Sequence, residues 1–422
     1  MYFNLKREAL YLSRGLYDPA IADLNTAIRL NPGSVGAYVN RGAAHHNSGA
    51  YEAALADFDA AIGLDTTAAD AHASRGTTHQ QLGRLDDALA DLSEAIRLNP
   101  TVETSFARAL LHAQLDHHAA AAADLDSVLQ IDRTHAAAYL NRGIARMELG
   151  EIGGAMSDFD QAVLHMPESA AAYTARGIAW AEQDRLNFAI DDYRQAAVLA
   201  PEDPQVENNL GVALYRNGRT VEAVEAFNRA LSLDDSYASA RLNRGISRVQ
   251  QGDTSGAMTD FTAALESNPA LARARLERAS LAFDSGDFAA AASDFAEAAA
   301  QDADRAAEWL LWAHVASRRA EADPDAASLA VPGVLDSPWP RLFVNLFRGE
   351  VSADEAVAAL ESLAGTAGEA EAAFFLGEHL LLSDEKAGAV ELFQRAILDG
   401  DVSSYAYAGA RSELRRLGYL TE

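Results

Sequence analysis

The stretch AYVNRGAAHHNSGAYEAALADFDAAIGLD, residues 37–65, decides how this chain folds. Apolar residues recur at helical spacing on both sides of Gly49, which predicts two helices joined by a tight turn. Arg41 stands inside the apolar face of the first helix, and Asp57 follows sixteen residues later in the second. The stretch therefore predicts a helical hairpin with opposite charges on its inner side.

A unit of 34 residues recurs along the chain. Glycine marks the same place in six units, with one shorter unit among them: Gly42, Gly76, Gly143, Gly177, Gly211 and Gly245. Alanine comes twelve residues after that place, and a large apolar residue four residues later, as in Ala54 and Phe58. Nine copies cover residues 1–303, and their turns carry glycine, or aspartate at Asp116 and Asp184. Positions are numbered below so that Arg41 is position 7 of the second repeat.

The pattern resembles the tetratricopeptide repeat (TPR), which is two antiparallel helices per 34 residues with small residues where backbones approach. The resemblance implies an all-α fold, a right-handed superhelix (α-solenoid) of about eleven helical hairpins. We expect a nine-repeat array over residues 1–303. A helical C-terminal region with atypical hairpins and a final TPR-like hairpin follows over residues 304–422.

Positions 7 and 23 carry opposite charges in eight of the nine repeats. The arginines are Arg7, Arg41, Arg75, Arg108, Arg142, Arg176, Arg244 and Arg278, and the aspartates are Asp23, Asp57, Asp91, Asp124, Asp158, Asp192, Asp260 and Asp294. In the seventh repeat Leu210 and Ala226 replace both charges. A buried pair explains this joint loss, because stranding one charge costs about 3–5 kcal/mol while replacing both can be neutral. We predict an ion pair within each repeat; arginines exposed to anionic ligands are the alternative.

Composition narrows the classes of partner. The net charge of −28 disfavours nucleic acid and anionic lipid. The absence of cysteine excludes disulfides and thiolate chemistry. No apolar run reaches the length of a transmembrane segment, and the start, MYFNLKREAL, has no signal-peptide core. The chain as it stands is expected to be cytoplasmic, or a periplasmic outer-membrane lipoprotein if an N-terminal signal segment has been removed.

In the TPR family, ligands contact the first helices along the concave side of the solenoid, and that resemblance implies a binding groove here. The groove residues that it implies are polar in repeats two and three: Asn40, His46, Asn47, Thr77, Gln80 and Gln81. They turn apolar in repeats four and five, with Phe106, Leu110, Leu140, Ile144 and Met147 beside Asn141. They are mixed in repeats seven to nine, with Asn208, Asn209, Tyr215, Arg216, Leu242, Asn243, Ile246, Leu276 and Phe283. Asparagine recurs at position 6, and its amide can hold a peptide backbone. The alternative, that these asparagines only support helix packing or solvation, carries equal weight.

No motif points to catalysis, a metal or a cofactor. The early histidines, such as His45, His46 and His79, form no HExxH motif or carboxylate triad. No phosphate loop, nucleophile elbow or dinucleotide fingerprint is present. We therefore predict no enzymatic activity and no small-molecule substrate.

The last 120 residues depart from the 34-residue pattern. A helix with Trp309 and Trp312 should close the apolar edge of the array, and Ser352 with Glu355 forms a capping box. A final hairpin carries the repeat's small and large residues at Leu376, Gly377, Ala389, Phe393 and Ala396. The segments EWLLWAHVASRR, WPRLFVNLFRGEVSADEAVAAL and AAFFLGEHLLLSDEKAGAVELFQRAI resemble the C-terminal half of NlpI-like bacterial TPR lipoproteins. That resemblance, over about residues 305–418, implies an envelope adaptor that presents substrates to a periplasmic protease.

The predicted function is a bacterial protein-interaction scaffold or adaptor that binds peptide or unfolded segments of a protein partner. The envelope protease adaptor is one alternative. Others are the regulatory TPR part of an enzyme such as a glycosyltransferase, and a self-assembling scaffold. The sequence leaves the oligomeric state open.

Overall fold

The structure is a computed structural model, and it describes residues 15–322, 338–366, 368–399, 401 and 404–421. Contacts between Cα atoms divide the chain into two units, Met1–Pro201 and Glu202–Glu422. All regular secondary structure in the described residues is helical, which confirms the predicted fold class.

Unit 1 is a stack of consecutive helical hairpins. Its helices are α1 (Tyr17–Leu30), α2 (Val35–Asn47), α3 (Tyr51–Leu64), α4 (Ala69–Gln81), α5 (Leu85–Leu98), α6 (Val102–Gln114), α7 (His118–Ile131), α8 (Ala136–Glu148), α9 (Ile152–His165), α10 (Ala170–Glu182) and α11 (Leu186–Leu199). The even-numbered helices are the first helices of repeats two to six. Each of them contacts the second helix of its own repeat, the second helix before it, and the neighbouring first helices.

Unit 2 begins with three hairpins of the same kind and continues into the C-terminal region. Its helices are α12 (Pro204–Arg216), α13 (Thr220–Leu233), α14 (Ala238–Gln250), α15 (Thr254–Ser267), α16 (Ala272–Ser285), α17 (Phe288–Gln301), α18 (Ala306–Arg319), α19 (Pro338–Phe347), α20 (Ala353–Leu360), α21 (Glu369–Leu382), α22 (Lys386–Asp399) and α23 (Tyr405–Arg416). In repeats seven to nine the first helices are α12, α14 and α16.

The turn inside each hairpin needs a left-handed backbone, and the chain supplies residues that tolerate it. Gly49 has φ = 81°, and Asp116 and Asp184 adopt φ = 56° and 57° in the two repeats without glycine. Glycine has no Cβ to clash in this region, and aspartate tolerates it better than most residues. The turns predicted at these positions are confirmed.

The glycine at position 8 lets the two helices of a hairpin approach closely. A Cβ placed on Gly42 would lie 2.6 Å from the ring of Phe58, and one on Gly143 would lie 2.5 Å from Phe159. Phe58 is completely buried together with Ala54, so the ring fills the space that the small residues leave.

The predicted ion pairs are confirmed in the seven repeats that the structure describes at both positions. Arg41 is typical: its guanidinium donates through Nε and Nη2 to both oxygens of Asp57, at 2.9 and 2.5 Å. The other six pairs repeat this two-point geometry. In repeat seven Leu210 and Ala226 are both buried, so apolar side chains take the place of the pair. Arg7 lies outside the described residues.

The C-terminal region packs on the end of repeat nine. Trp309 and Trp312 are buried on α18, and Trp312 lies 5.2 Å from the ring of Phe295. The Ser352–Glu355 capping box is present at the start of α20. One hydrophobic cluster runs from Leu276 to Leu414. The proline-rich stretch of residues 323–340, which the sequence predicts to be an ordered loop or short helix, lies outside the described residues up to 337 and is helical from Pro338. The domain division at residue 303 stays a prediction.

Candidate functional site

The first helices of successive repeats lie side by side, and positions 5, 6, 9, 12 and 13 of these helices form what we call the first-helix wall of each unit. In unit 1 the wall comprises α2, α4, α6, α8 and α10, and in unit 2 it comprises α12, α14 and α16. Most of the sequence-predicted groove residues lie on these walls, but their exposure differs.

The wall of repeats two and three is polar, and hydrogen bonds join its first helices to each other and to Gln114 of repeat four. His46 Nδ1 lies 2.9 Å from Thr78 Oγ1, and the amide of Gln80 donates to Gln114 Oε1 at 3.2 Å. Thr77 donates to a carbonyl oxygen of its own helix. Asn47 and Gln81, at position 13, are exposed. The predicted polar groups therefore lie on the wall, and two of them, His46 and Gln80, are hydrogen-bonded to side chains of neighbouring first helices.

The wall of repeats four to six is apolar. Leu110, Ile144 and Ile178 occupy position 9 on three consecutive first helices and are 38%, 44% and 39% exposed. Phe106 and Leu140 at position 5 are half-buried. Ile178 was not among the predicted groove residues, although its position in the repeat was a sufficient sign. We call Leu110, Ile144 and Ile178 the apolar stripe.

The asparagines at position 6 do not form an open row of amide donors. Asn141 donates to the carbonyl oxygen of Ala137 within α8, at 2.8 Å. Asn243 donates to Oδ1 of Asn208, at 3.0 Å. Asn40 and Asn209 are half-buried at the same position. These contacts support the packing interpretation for Asn141 and Asn243.

The wall of unit 2 holds a small cavity in place of a stripe. Tyr215, Arg216, Asn243, Ile246 and Arg273 line a space of about 230 Å³, together with Val212 and Phe227. Burial raises the pKa of the Tyr215 hydroxyl. In a correction to the sequence analysis, Leu242, Asn208, Leu276 and Phe283 are all less than 9% exposed. These four side chains occupy wall positions, but neighbouring elements cover them.

Sequence reasoning missed the role of the histidines at position 11. His45, His79 and His112 each place Nε2 3.9–4.0 Å from the aspartate of the local ion pair. Arg146 and Arg248 take the same position in repeats five and eight and reach Asp158 and Asp260 at 2.7 Å. The histidines are thus second neighbours of the pair, in the place that arginines take in repeats five and eight. In the described part of the chain, no three histidine or carboxylate groups converge as a metal site would require.

Comparison with known families agrees with this geometry. Three models, each described as tetratricopeptide repeat, match residues 8–75, residues 69–102, and residues 140–204, 189–239, 242–307 and 350–405. These ranges include most of the chain. The chain belongs to the tetratricopeptide repeat family. Its members are protein-interaction scaffolds, and the chain shares their construction.

Solved structures with a similar arrangement of helices are distant in sequence. YrrB, described as a TPR protein with an unusual peptide-binding site, is 20% identical, covers 46% of this chain and 97% of its own, and has a TM-score of 0.41. A TPR protein from Parabacteroides merdae is 19% identical over 58% of this chain and 98% of its own (TM-score 0.42). Yeast Tom70 is 15% identical over 77% of this chain and 90% of its own (TM-score 0.43).

A search of curated proteins gave no significant match. Among the described helices, none combines the length and the apolar character that crossing a bilayer requires.

Proposed function

We propose that this TPR protein is a scaffold that binds an extended segment of a partner protein along the first-helix wall of unit 1. The apolar stripe carries the proposal. Three branched apolar side chains, each more than a third exposed, recur at one position of three adjacent helices. Contiguous exposed apolar surface on a folded protein commonly marks an interaction site.

The dimensions of the stripe suit a short extended segment. Packed helices lie about 8–10 Å apart, so three of them span about 20 Å, the length of about six residues of extended chain at ~3.3 Å each. Glu148 and Glu182 are exposed at position 13 of two of these helices. Because the whole chain has a net charge of −28, we expect the wall to favour a segment in which apolar residues alternate with basic ones.

The test replaces the stripe without disturbing the core. The triple variant Leu110→Ser, Ile144→Ser, Ile178→Ser changes exposed side chains only and should fold as the wild type does. Its affinity for a fluorescein-labelled peptide of alternating leucine and lysine should fall by about tenfold or more, which is about 1.4 kcal/mol. Fluorescence anisotropy measures the change.

A control variant removes at least as much exposed apolar surface elsewhere in unit 1. Leu30, Leu164 and Val198 are exposed on second helices, and their replacement by serine should leave the affinity unchanged. Equal binding by the stripe variant and the wild type would disprove the proposed site. A triple change of Asn141, Asn209 and Asn243 to alanine should have a small effect, because Asn141 and Asn243 donate internally.

Two narrower roles stay predictions. The envelope protease adaptor is supported by the resemblance of residues 305–418 to NlpI-like lipoproteins, and co-purification of a periplasmic protease with the chain would test it. The regulatory part of a glycosyltransferase is tested by assaying the pure chain for turnover of sugar nucleotides.

A further inference from the structure

The last helix of the chain, α23, lies on the first helix of repeat nine, α16, as well as on α21. The guanidinium of Arg416 donates to the carbonyl oxygen of Phe283 and lies 4.9 Å from the ring centre of Phe288. At the opposite end of α23, the ring of Tyr405 lies 5.5 Å from that of Trp309. The helix is therefore held at both ends.

This helix lies over the backbone at wall positions 12 and 13 of repeat nine, while rings of α17, α18 and α21 surround the Phe283 side chain. Phe283 at position 12 is 1% exposed, whereas Val249 at position 12 of repeat eight is 41% exposed. Ser412 donates to the carbonyl oxygen of Asp284, at position 13, at 3.5 Å. The chain's own C-terminal helix thus lies over positions 12 and 13 of the repeat-nine wall.

The surface beneath α23 accepts a helix with small residues on one face. Ala406 and Ala410 are buried there, and Gly409 lies against two aromatic rings. A Cβ at Gly409 would stand 2.8 Å from atoms of both Phe374 and Trp312. Because these rings are themselves buried in the core, they leave no room for a larger residue.

Buried charges also hold α23 in place. Arg319 of α18 lies 3.0 Å from Glu378 of α21 and 2.9 Å from Glu413 of α23, and Arg416 pairs with Glu413. Glu378 and Glu413 are completely or almost completely buried. Oε1 of Glu378 has no hydrogen-bond partner among the described residues. Buried ion pairs lose much of their attraction to the cost of removing charges from water.

These contacts hold α23 less firmly than the hairpin below it. The hairpin of α21 and α22 buries Phe374, Phe375 and Phe393, whereas Leu414 is the largest apolar side chain that α23 itself buries. Elements with few large buried apolar contacts open more readily than the rest of a fold.

We propose that the surface beneath α23 is an interaction surface for a helical segment of a partner protein, which binds by displacing α23. The matching segment has glycine and alanine on one face, so that it passes Trp312 and Phe374. Near its C-terminal end it has a glutamate followed three residues later by an arginine, which meet Arg319 and the carbonyl oxygen of Phe283. This second site belongs to unit 2, whereas the apolar stripe belongs to unit 1, and it does not depend on the function of the stripe.

The experiment releases α23 in the full chain and offers the same helix in trans. Gly409→Leu should expel α23 by collision with Phe374 and Trp312, and a fluorescein-labelled peptide of residues 404–421 should then bind. We expect at least about tenfold tighter binding to the Gly409→Leu chain than to the wild type. Arg415→Leu places the same side chain at an exposed position of α23 and should leave binding at the wild-type level. A peptide with Glu413→Ala should bind the Gly409→Leu chain more weakly.

Hydrogen exchange of the Gly409→Leu chain shows which helices lose protection, and each result either supports or overturns the proposal. Loss of protection confined to α23, with the peptide bound, supports the proposal. Loss confined to α23 without peptide binding overturns it. Loss of protection throughout α21 and α22 shows that α23 is an inseparable part of the core and also overturns it, as does full protection of α23. None of these outcomes bears on the apolar stripe.

Discussion

The arginine at position 7 links the two helices of its own repeat, and it also links that repeat to the preceding one. In repeat six, Nε and Nη2 of Arg176 bind Asp192, while Nη1 reaches Asp160 of the preceding repeat at 2.9 Å. Equivalent second partners stand at the corresponding place in the other repeats: Asn25, Asp59, Ser93, Asp126, Asn228 and Thr262. Hydrogen bonding to Asp192 raises the pKa of Arg176, so the charge is permanent. The arginine is an architectural residue, as predicted, with a second partner that the sequence reasoning did not foresee.

This geometry makes the loss of one partner costlier than the loss of both. Asp192→Ala leaves Arg176 in a largely buried site with only the exposed Asp160, and should cost about 3 kcal/mol or more. Arg176→Leu with Asp192→Ala reproduces the natural Leu210 and Ala226 and should cost clearly less. Hydrogen-exchange protection of α10 and α11 measures both, and equal costs would contradict a desolvated pair.

Repeat nine and the C-terminal region bury several carboxyl groups away from water. Burial raises the pKa of Glu277 on α16, Glu308 on α18, and Glu371 and Glu378 on α21. Glu378 faces Arg319 of α18 and Arg416 of α23, and their charges oppose the rise without cancelling it. These elements therefore carry a desolvation cost at neutral pH.

A distinctive pH dependence follows for α23. A carboxyl whose pKa is higher in the folded chain binds its proton more tightly when folded, so stability is present at low pH and is lost as the pH rises through the folded pKa. We expect α23 to become better protected from hydrogen exchange as the pH falls below 7.5, after correction for the intrinsic rate. Glu378→Gln should reduce this dependence. Protection that falls over the same range would show that other groups dominate.

Within unit 2, the last repeats and the C-terminal region form one hydrophobic core. The cluster joins Phe283 and Phe295 of repeat nine to Trp312 of α18 and Phe374 of α21. A TPR stack otherwise ends on an apolar surface that needs a cap. Helices α18 to α22 supply that cap, while α23 adds small residues and ion pairs to it.

Removal of residues 305–422 should therefore expose Phe283 and Phe295 and cause concentration-dependent association in light scattering. Removal of residues 404–422 alone is the control. It leaves Trp312, Phe374 and the hairpin of α21 and α22 in place, and should have a much smaller effect. Equal behaviour of the two truncations would contradict the assignment of the cap to α18–α22.

Sequence alone was sufficient for the helices, the turns and the ion pairs, because each repeats at a fixed interval. Arg41 and Asp57 stand sixteen residues apart around a turn at Gly49, and a hairpin brings such residues together whatever surrounds it. The joint change to Leu210 and Ala226 gave the reason for the pairing in physical terms. The polar and apolar stretches of the wall followed from the same numbering.

Only the tertiary structure decided which wall residues are open to a partner. Leu242 and Phe283 occupy the predicted ligand-contact positions but are buried. The side-chain amides of Asn141 and Asn243 donate hydrogen bonds to other groups of the protein. The position of α23 on repeat nine depends on contacts between residues more than 120 apart in the chain. Local periodicity determines a hairpin because its contacts are close in sequence, whereas exposure depends on distant elements whose packing no repeat pattern specifies.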